Sequence, residues 1–206
     1  MAFEIKDNIL KKYIPEQGET EIIIPEGVTE IDNYAFSQSC QLKSVTIPDG
    51  VTKLCTNAFS FCKGLTSVTL SDSVRVLGEC AFYGCTALEE IALPKGLTVI
   101  GTSAFDSCTE LKVINIPDTV TYIGDYAFHR CESLTEIDIP DSVSELGESA
   151  FQGCVKLRRV RLSENITGIK TFAFYGCSAL CEINIPDRVT DIGEYAFGQC
   201  DMLPKL

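Results

Sequence analysis

The side chains best equipped for chemistry in this sequence are its eleven cysteines and its single histidine. A thiolate can exchange with a disulfide or bind a soft metal, and an imidazole can relay a proton. The stretch ECAFYGCTALEE, residues 79–90, poses the question directly. Cys80 and Cys85 form a C-x4-C pair that could be half of a metal site, a redox couple or plain packing. Their place in the wider pattern decides between these.

That pattern is a repeat. Ala-Phe recurs at Phe36, Phe59, Phe82, Phe105, Phe128, Phe151, Phe174 and Phe197, always 23 residues apart. The unit reads L-x-x-I-x-I-P-D-x-V-T-x-I-G-x-x-A-F-x-G-C-x-x, with a leucine column from Leu42 to Leu203. A cysteine follows each Phe by three at Cys62, Cys85, Cys108, Cys131, Cys154, Cys177 and Cys200, while the first unit has Ser39 there and Cys40 one residue late. Cys85 therefore belongs to a fixed column and Cys80 to a variable one, shared with Tyr34, Asn57, Ser103, Tyr126, Ser149, Phe172 and Tyr195. Free cysteine packs as a small hydrophobe, so the cysteine column is read as a core ladder. Cys181 falls in a polar column and is read as solvent-facing; Cys55 replaces a glycine and should crowd its turn.

The elements that must position these residues are short. LKSVTIP, residues 42–48, alternates as a half-buried strand, with Val45 and Ile47 inward and Ser44 and Thr46 outward. Proline ends the strand in most units. A second extended piece, V-T-x-I, follows, and then a glycine column (Gly78, Gly101, Gly124, Gly147, Gly193) is assigned to a tight turn through its tolerance of positive φ. Asp32 and Lys170 also stand in that column. The A-F-x-G-C stretch predicts a 3₁₀ or single helical turn. One such unit cannot bury its own apolar side, but stacked units can. The fold class is thus an α/β repeat solenoid whose parallel strands line one face.

Residues 1–18 are assigned to an N-terminal capping hairpin, with strands within FEIKDNILKKY turning at Asp7-Asn8. Residues 19–206 hold about eight 23-residue units, the last incomplete. After Leu203 the sequence supplies no further strand, which leaves the strand at 181–184 as an edge. Three readings fit: a natural stop, a piece of a longer chain, or pairing into a homodimer through that uncapped edge.

The unit LTEIDIPDSVSELGESAFQGC, residues 134–154, resembles the BspA-type leucine-rich repeat, and eight units match it in phase over about residues 19–203. The resemblance implies a right-handed leucine-rich-repeat superhelix with its parallel β-sheet on the concave face. It further implies recognition of adhesion or surface type, as in bacterial or protozoan attachment proteins, and hence a cell-surface or secreted location. The residues themselves favour the cytoplasm: MAFEIKDNILKKY has no secretory pattern, and a cysteine ladder requires reduced thiols.

A net charge of −12 excludes a nucleic-acid partner, whose phosphates need a basic face. No apolar run is long enough for membrane insertion as a helix. Nor does the sequence contain G-x-S-x-G, a P-loop, H-E-x-x-H or a calcium loop. His129 shares its column with Ser37, Ser60, Tyr83, Asp106, Gln152, Tyr175 and Gly198, a tolerant surface position rather than a general base. No catalytic residue, cofactor or metal site is expected. Function is assigned instead to the outward strand positions, where a solenoid presents its variable residues. The candidates are Glu90, Asn115, Glu136, Asp138, Arg159, Arg161, Glu182 and Asn184. Glu136, Arg159 and Glu182 share one column and Asp138 and Arg161 another. They either pair with one another or form a polar docking patch for a protein or a glycan. Unit seven, KLRRVRLSENITGIKTF (156–172), concentrates basic residues there. A structural spacer or self-assembling element without a specific ligand is the competing class.

Overall fold

The structure is a computed structural model describing residues 2–204. It opens with β1 (Ala2–Lys6) and β2 (Ile9–Ile14). Short strands follow in pairs, one pair to most coils: β3 (Glu21–Ile23), β4 (Glu30–Ile31), β5 (Ser44–Thr46), β6 (Lys53–Leu54), β7 (Ser67–Thr69), β8 (Val76–Leu77), β9 (Val99–Ile100), β10 (Tyr122–Ile123), β11 (Glu136–Asp138), β12 (Glu145–Leu146), β13 (Arg159–Arg161), β14 (Gly168–Ile169), β15 (Glu182–Ile183) and β16 (Asp191–Ile192). Among the described residues there is no helix.

The strands stack into two parallel ladders rather than one. The first takes the L-x-x-I-x-I segments and is broken: β3-β5-β7, then β11-β13-β15, with the two coils between them linked only to each other by an isolated bridge between Glu90 and Val113. The second takes the V-T-x-I segments and runs β1-β2-β4-β6-β8-β9-β10-β12, with β14-β16 separate beyond it. It is the longer sheet, because two residues per coil suffice for it and, from β8 to β12, a glycine follows each strand and lets the coils close up.

That glycine column owes nothing to positive φ. A Cβ built at Gly78 would stand 2.7 Å from Leu54 O, and at Gly147 2.3 Å from the Asp125 nitrogen. Glycine is required by the close approach of backbone to backbone, not by a left-handed turn. Left-handed backbone falls two and six residues later, at Tyr34 and Gln38 (φ 61° and 63°) and their equivalents in every coil. The approach is looser at the N-terminal side, and Cys55 still donates its N–H to Ile31 O at 2.9 Å. At Lys170 no bond to Leu146 O forms among the described residues, and the second ladder breaks between β12 and β14.

The A-F segment also differs from a helical turn. Tyr34, Phe36 and Gln38 donate their N–H groups to Thr56 O, Ala58 O and Ser60 O of the next coil, while Ala35, Ser37 and Ser39 close turns on Asp32 O, Tyr34 O and Phe36 O. Alternate amides are thus committed to the neighbouring coil. The left-handed residues interrupt any helical run, each at a cost of roughly 1–2 kcal/mol when not glycine.

The core is a set of columns. The Phe rings from Phe36 to Phe197 stack with centroids 4.7–5.5 Å apart and planes within 11°. Such pairs contribute about 0.5–1.5 kcal/mol each beyond area burial. Each ladder cysteine, from Cys62 to Cys200, donates its Sγ–H to the Phe carbonyl of the preceding coil at 3.1–3.2 Å. The thiol therefore packs and satisfies a buried acceptor at once. Burial holds these thiols protonated: Cys62 and Cys154 are pushed up to about 12, and Cys85, Cys131 and Cys177 well above the usual range.

β1 and β2 form an antiparallel pair around Asp7 and Asn8, both left-handed (φ 54° and 62°), the type I′ geometry that suits strand twist. β2 then pairs in parallel with β4. Phe3 meets the Phe36 ring edge-on at 6.4 Å and Tyr13 stacks on it at 5.1 Å. Tyr13 Oη donates to Glu19 Oε2 at 2.8 Å, and burial with that carboxylate raises its pKa.

Candidate functional site

The outward residues of the first ladder come from alternation along each strand: Ile137 and Val160 are buried while their flanking residues face out. Parallel register aligns Glu136 with Arg159, Asp138 with Arg161, and Arg159 with Glu182. Salt bridges follow this register only partly. Arg159 lies 3.2 Å from Glu136 Oε2 and 3.1 Å from Asp138 Oδ1, so one guanidinium bridges both carboxylates of β11. Those two carboxylates hold its pKa above the ordinary value. Arg161 turns away from Asp138, donating to Ile139 O at 3.1 Å and to both oxygens of Asp141 at 3.1 and 3.2 Å. The Asp141 carboxyl sits below its usual range, chiefly because Glu164 N–H donates to it at 3.0 Å, and secondarily because of Arg161.

Glu182 takes no part in these pairs and is exposed. Asn184 caps the ladder instead: its Oδ1 accepts Leu162 N–H at 2.6 Å and its Nδ2 donates to Leu162 O and to Glu164 at 3.3 Å. Glu90 and Asn115 are exposed where the ladder opens. Beside them Val113 is 47% exposed. Ile24, Ile47 and Ile139 donate N–H bonds across to Thr46 O, Thr69 O and Arg161 O, but no equivalent bond involves Leu70, Leu93 or Ile116 among the described residues. A shallow trough of about 360 Å³ lies at this opening, lined by Ser67, Thr69, Glu90, Ala92, Val113 and Asn115. A second, of about 550 Å³, continues along the face past Ile116, Asp118, Asp138, Asp141 and Arg161.

The eight candidates thus separate: Arg159 pairs with Glu136 and Asp138, Arg161 pairs with Asp141, Glu90 and Asn115 line the open trough, Asn184 caps the ladder, and Glu182 is exposed outside these pairs. Sequence reasoning missed Asp118 and Asp141, which belong to the Pro-Asp turn that four of the eight units carry after the L-x-x-I-x-I segment. The recurring P-D dipeptide was the available signal, and it reads as turn chemistry alone.

His129 is half-buried, with Nδ1 3.0 Å from Asp106 Oδ1, an oxygen that also accepts Ser107 Oγ–H at 2.8 Å. The imidazole is held in a local network on the turn surface. Among the described residues, no group of three or more His, Cys, Asp or Glu side chains is placed to hold a metal ion. Cys80 and Cys85 part as the repeat demands, one intermediate and one buried.

Stacked coils of 23 residues with a leucine column, a parallel strand ladder and a solvated outer strand face define a leucine-rich-repeat solenoid. The chain belongs to the BspA type leucine-rich-repeat family, whose model matches residues 9–135 and 100–206. It is similar to a leucine-rich-repeat protein of T. pallidum, with 28% identity over 99% of this chain and 88% of that one and a TM-score of 0.70. It is also similar to a leucine-rich cell surface protein of Faecalibacterium prausnitzii A2-165, with 30% identity over 89% of this chain and 71% of that one and a TM-score of 0.46. No curated protein matches the chain.

Proposed function

We propose that the chain is a non-catalytic binding scaffold of adhesion type that docks a protein ligand on the first ladder. The open trough at Glu90, Val113 and Asn115 carries this reading. There, exposed apolar and polar side chains lie beside strand backbone whose ladder is reduced to one isolated bridge. Polar groups without intramolecular partners lose least when a ligand supplies them. The Arg159 pairs with Glu136 and Asp138 and the Arg161 pair with Asp141 border the trough as a polar rim, and Glu182 and Asn184 lie at its far side. Family membership supports a binding or adhesion scaffold. A glycan is the other ligand class for the same face.

The test is a pull-down from the source organism's lysate and surface extract. Baits are the parent chain, Val113→Glu with Asn115→Lys, Arg159→Glu with Arg161→Glu, and Glu145→Lys on the second ladder as a control. A partner kept by parent and control but lost by the trough variant supports the reading. A partner kept by every bait overturns it.

One observation favours the spacer or self-assembly reading. In the last coil Ile183, Val189, Phe197 and Leu203 are only partly buried, although their columns are buried elsewhere. Pairing of two copies through this end predicts dimer mass by light scattering at high micromolar concentration; a monomer there removes it.

A further inference from the structure

Among the described residues the V-T-x-I ladder is open at both ends. β1 is its first strand and pairs only with β2; β16 is its last and pairs only with β14. An edge strand presents backbone donors and acceptors that a further strand can take. The register carries two columns from one edge to the other. Lys6 faces Ile9, Ile9 faces Glu30, and the column continues at the 23-residue period to Asp191. Ile5 faces Leu10, Leu10 faces Ile31, and that column continues to Ile192.

From Leu10 to Ile169 the second of these columns is buried, with no member more than 2% exposed. Its two ends are different: Ile5 is 43% exposed and Ile192 51%. Each lacks a neighbour on its outer side. The ring stack ends in the same way. Phe197 stacks on Phe174 at 5.5 Å on one side only, Phe3 meets Phe36 edge-on at the other end, and both Phe3 and Phe197 are partly buried.

Charge decides which ends can meet. Residues 181–203 carry Glu182, Asp187, Asp191, Glu194 and Asp201 against Arg188 alone. Two such coils face to face would set like charges together. β1 and β2 carry Lys6, Lys11 and Lys12 against Glu4, with Asp7 at their turn. Asp32 takes Lys11, whereas Lys6, Lys12 and Asp191 make no ion pair among the described residues. The cationic edge therefore complements the anionic one, and both edges end the same two columns.

We propose that the chain self-associates head to tail, β1 of one copy pairing with β16 of the next. The pairing is antiparallel, because β1 runs against β2 while β16 runs with the strands of the other coils. Lys6 of one copy then stands opposite Asp191 of the next, and Ile5 opposite Ile192. Phe3 comes toward the open face of Phe197. Every copy keeps one free end of each kind, so the assembly is an open series and not a closed dimer. The proposal rests on the self-assembly reading of the last coil and names what that coil receives.

The test is sedimentation equilibrium from low to high micromolar concentration. The mean mass of the parent chain should climb past that of a dimer. Ile5→Asp and Ile192→Asp each close one end, so each alone should stay monomeric. Mixed, they should form a dimer, because each supplies the end that the other lacks. Lys6→Glu or Asp191→Lys alone should weaken association by about threefold or more, and the two in one chain should restore most of it. If an aspartate variant loses the circular dichroism of the parent, these charge variants decide alone, and no recovery in the double variant overturns the proposal. A mixture of folded aspartate variants that stays monomeric also overturns it. A parent dimer that stops growing and survives Ile5→Asp would show tail-to-tail pairing, which overturns head-to-tail order and leaves self-assembly standing. A parent that is monomeric throughout removes both.

Discussion

The two ladders run through the same coils and share one core, yet they break in different places. The second is continuous across eight strands from β1 to β12 and fails only before β14. The first fails in the middle, where the two coils between β7 and β11 share only a single bridge with each other. Each break coincides with a change of residue type. At the first, Ala92 and Asn115 stand where Thr46 and Thr69 stand in paired strands, and both are weak strand formers. At the second, Lys170 replaces a glycine where the coils approach most closely, and its Nζ reaches Glu145 Oε1 at 2.6 Å. A ladder of two- and three-residue strands has little reserve, so one unfavourable side chain opens it.

The largest expected effect falls on the core that both ladders share. Unfolding returns the buried thiols from about 12 or above to the ordinary value of about 8.5, so the folded chain binds more protons between those limits. The ladder's contribution is whole below about pH 8.5 and is lost as pH rises toward 12. Urea midpoints should fall steadily above pH 9; a flat profile from pH 8 to 11 would contradict the buried ladder. With Ellman's reagent at pH 8, Cys40 and Cys181 should react quickly in the native chain, and all eleven thiols in denaturant.

Next comes the second ladder. Gly147→Val forces a Cβ against the Asp125 backbone and should cost about 3 kcal/mol, read from the urea midpoint. A loss below about 0.5 kcal/mol would mean that the coils separate freely. Lys170→Gly should close the break, making the residue-170 amide as slow in hydrogen exchange as those of Gly147 and Gly193. Stability should change by about 1 kcal/mol or less, because the exposed Lys170–Glu145 pair is lost and glycine adds chain entropy.

The first ladder offers the smaller changes. Ala92→Thr with Asn115→Thr should protect the Leu93 and Ile116 amides and add up to about 1 kcal/mol. If the trough is the docking face, the same variant weakens ligand capture, so added stability and lost binding should appear together. Arg159→Ala should cost less than about 1 kcal/mol and the loss should shrink in salt, since both its partners are solvated.

Much of the architecture was legible in the repeat. Eight units in phase, with apolar columns at fixed offsets, require stacking, and the alternation in SVT and RVR placed Val45 and Val160 inward. The hydrogen bonding of the turn segment was not legible, because which amide bonds locally and which bonds to the next coil depends on the neighbour's position. Nor was the role of the glycine column, which answers to a backbone in another coil. Along the candidate face, column sharing correctly aligned Glu136 with Arg159. It did not foresee that Arg159 would also take Asp138 while Arg161 turned to Asp141, because long side chains choose among acceptors at similar distances.

By itself, then, the sequence determined the period, the core columns and the exclusion of the cysteine ladder from surface chemistry. A 23-residue unit with one apolar side has only its own copies to bury that side against. The tertiary structure decided where the ladders open, which carboxylate each arginine takes and which residues adopt left-handed backbone. Those outcomes depend on what the neighbouring coils place beside each residue, which the period alone does not specify.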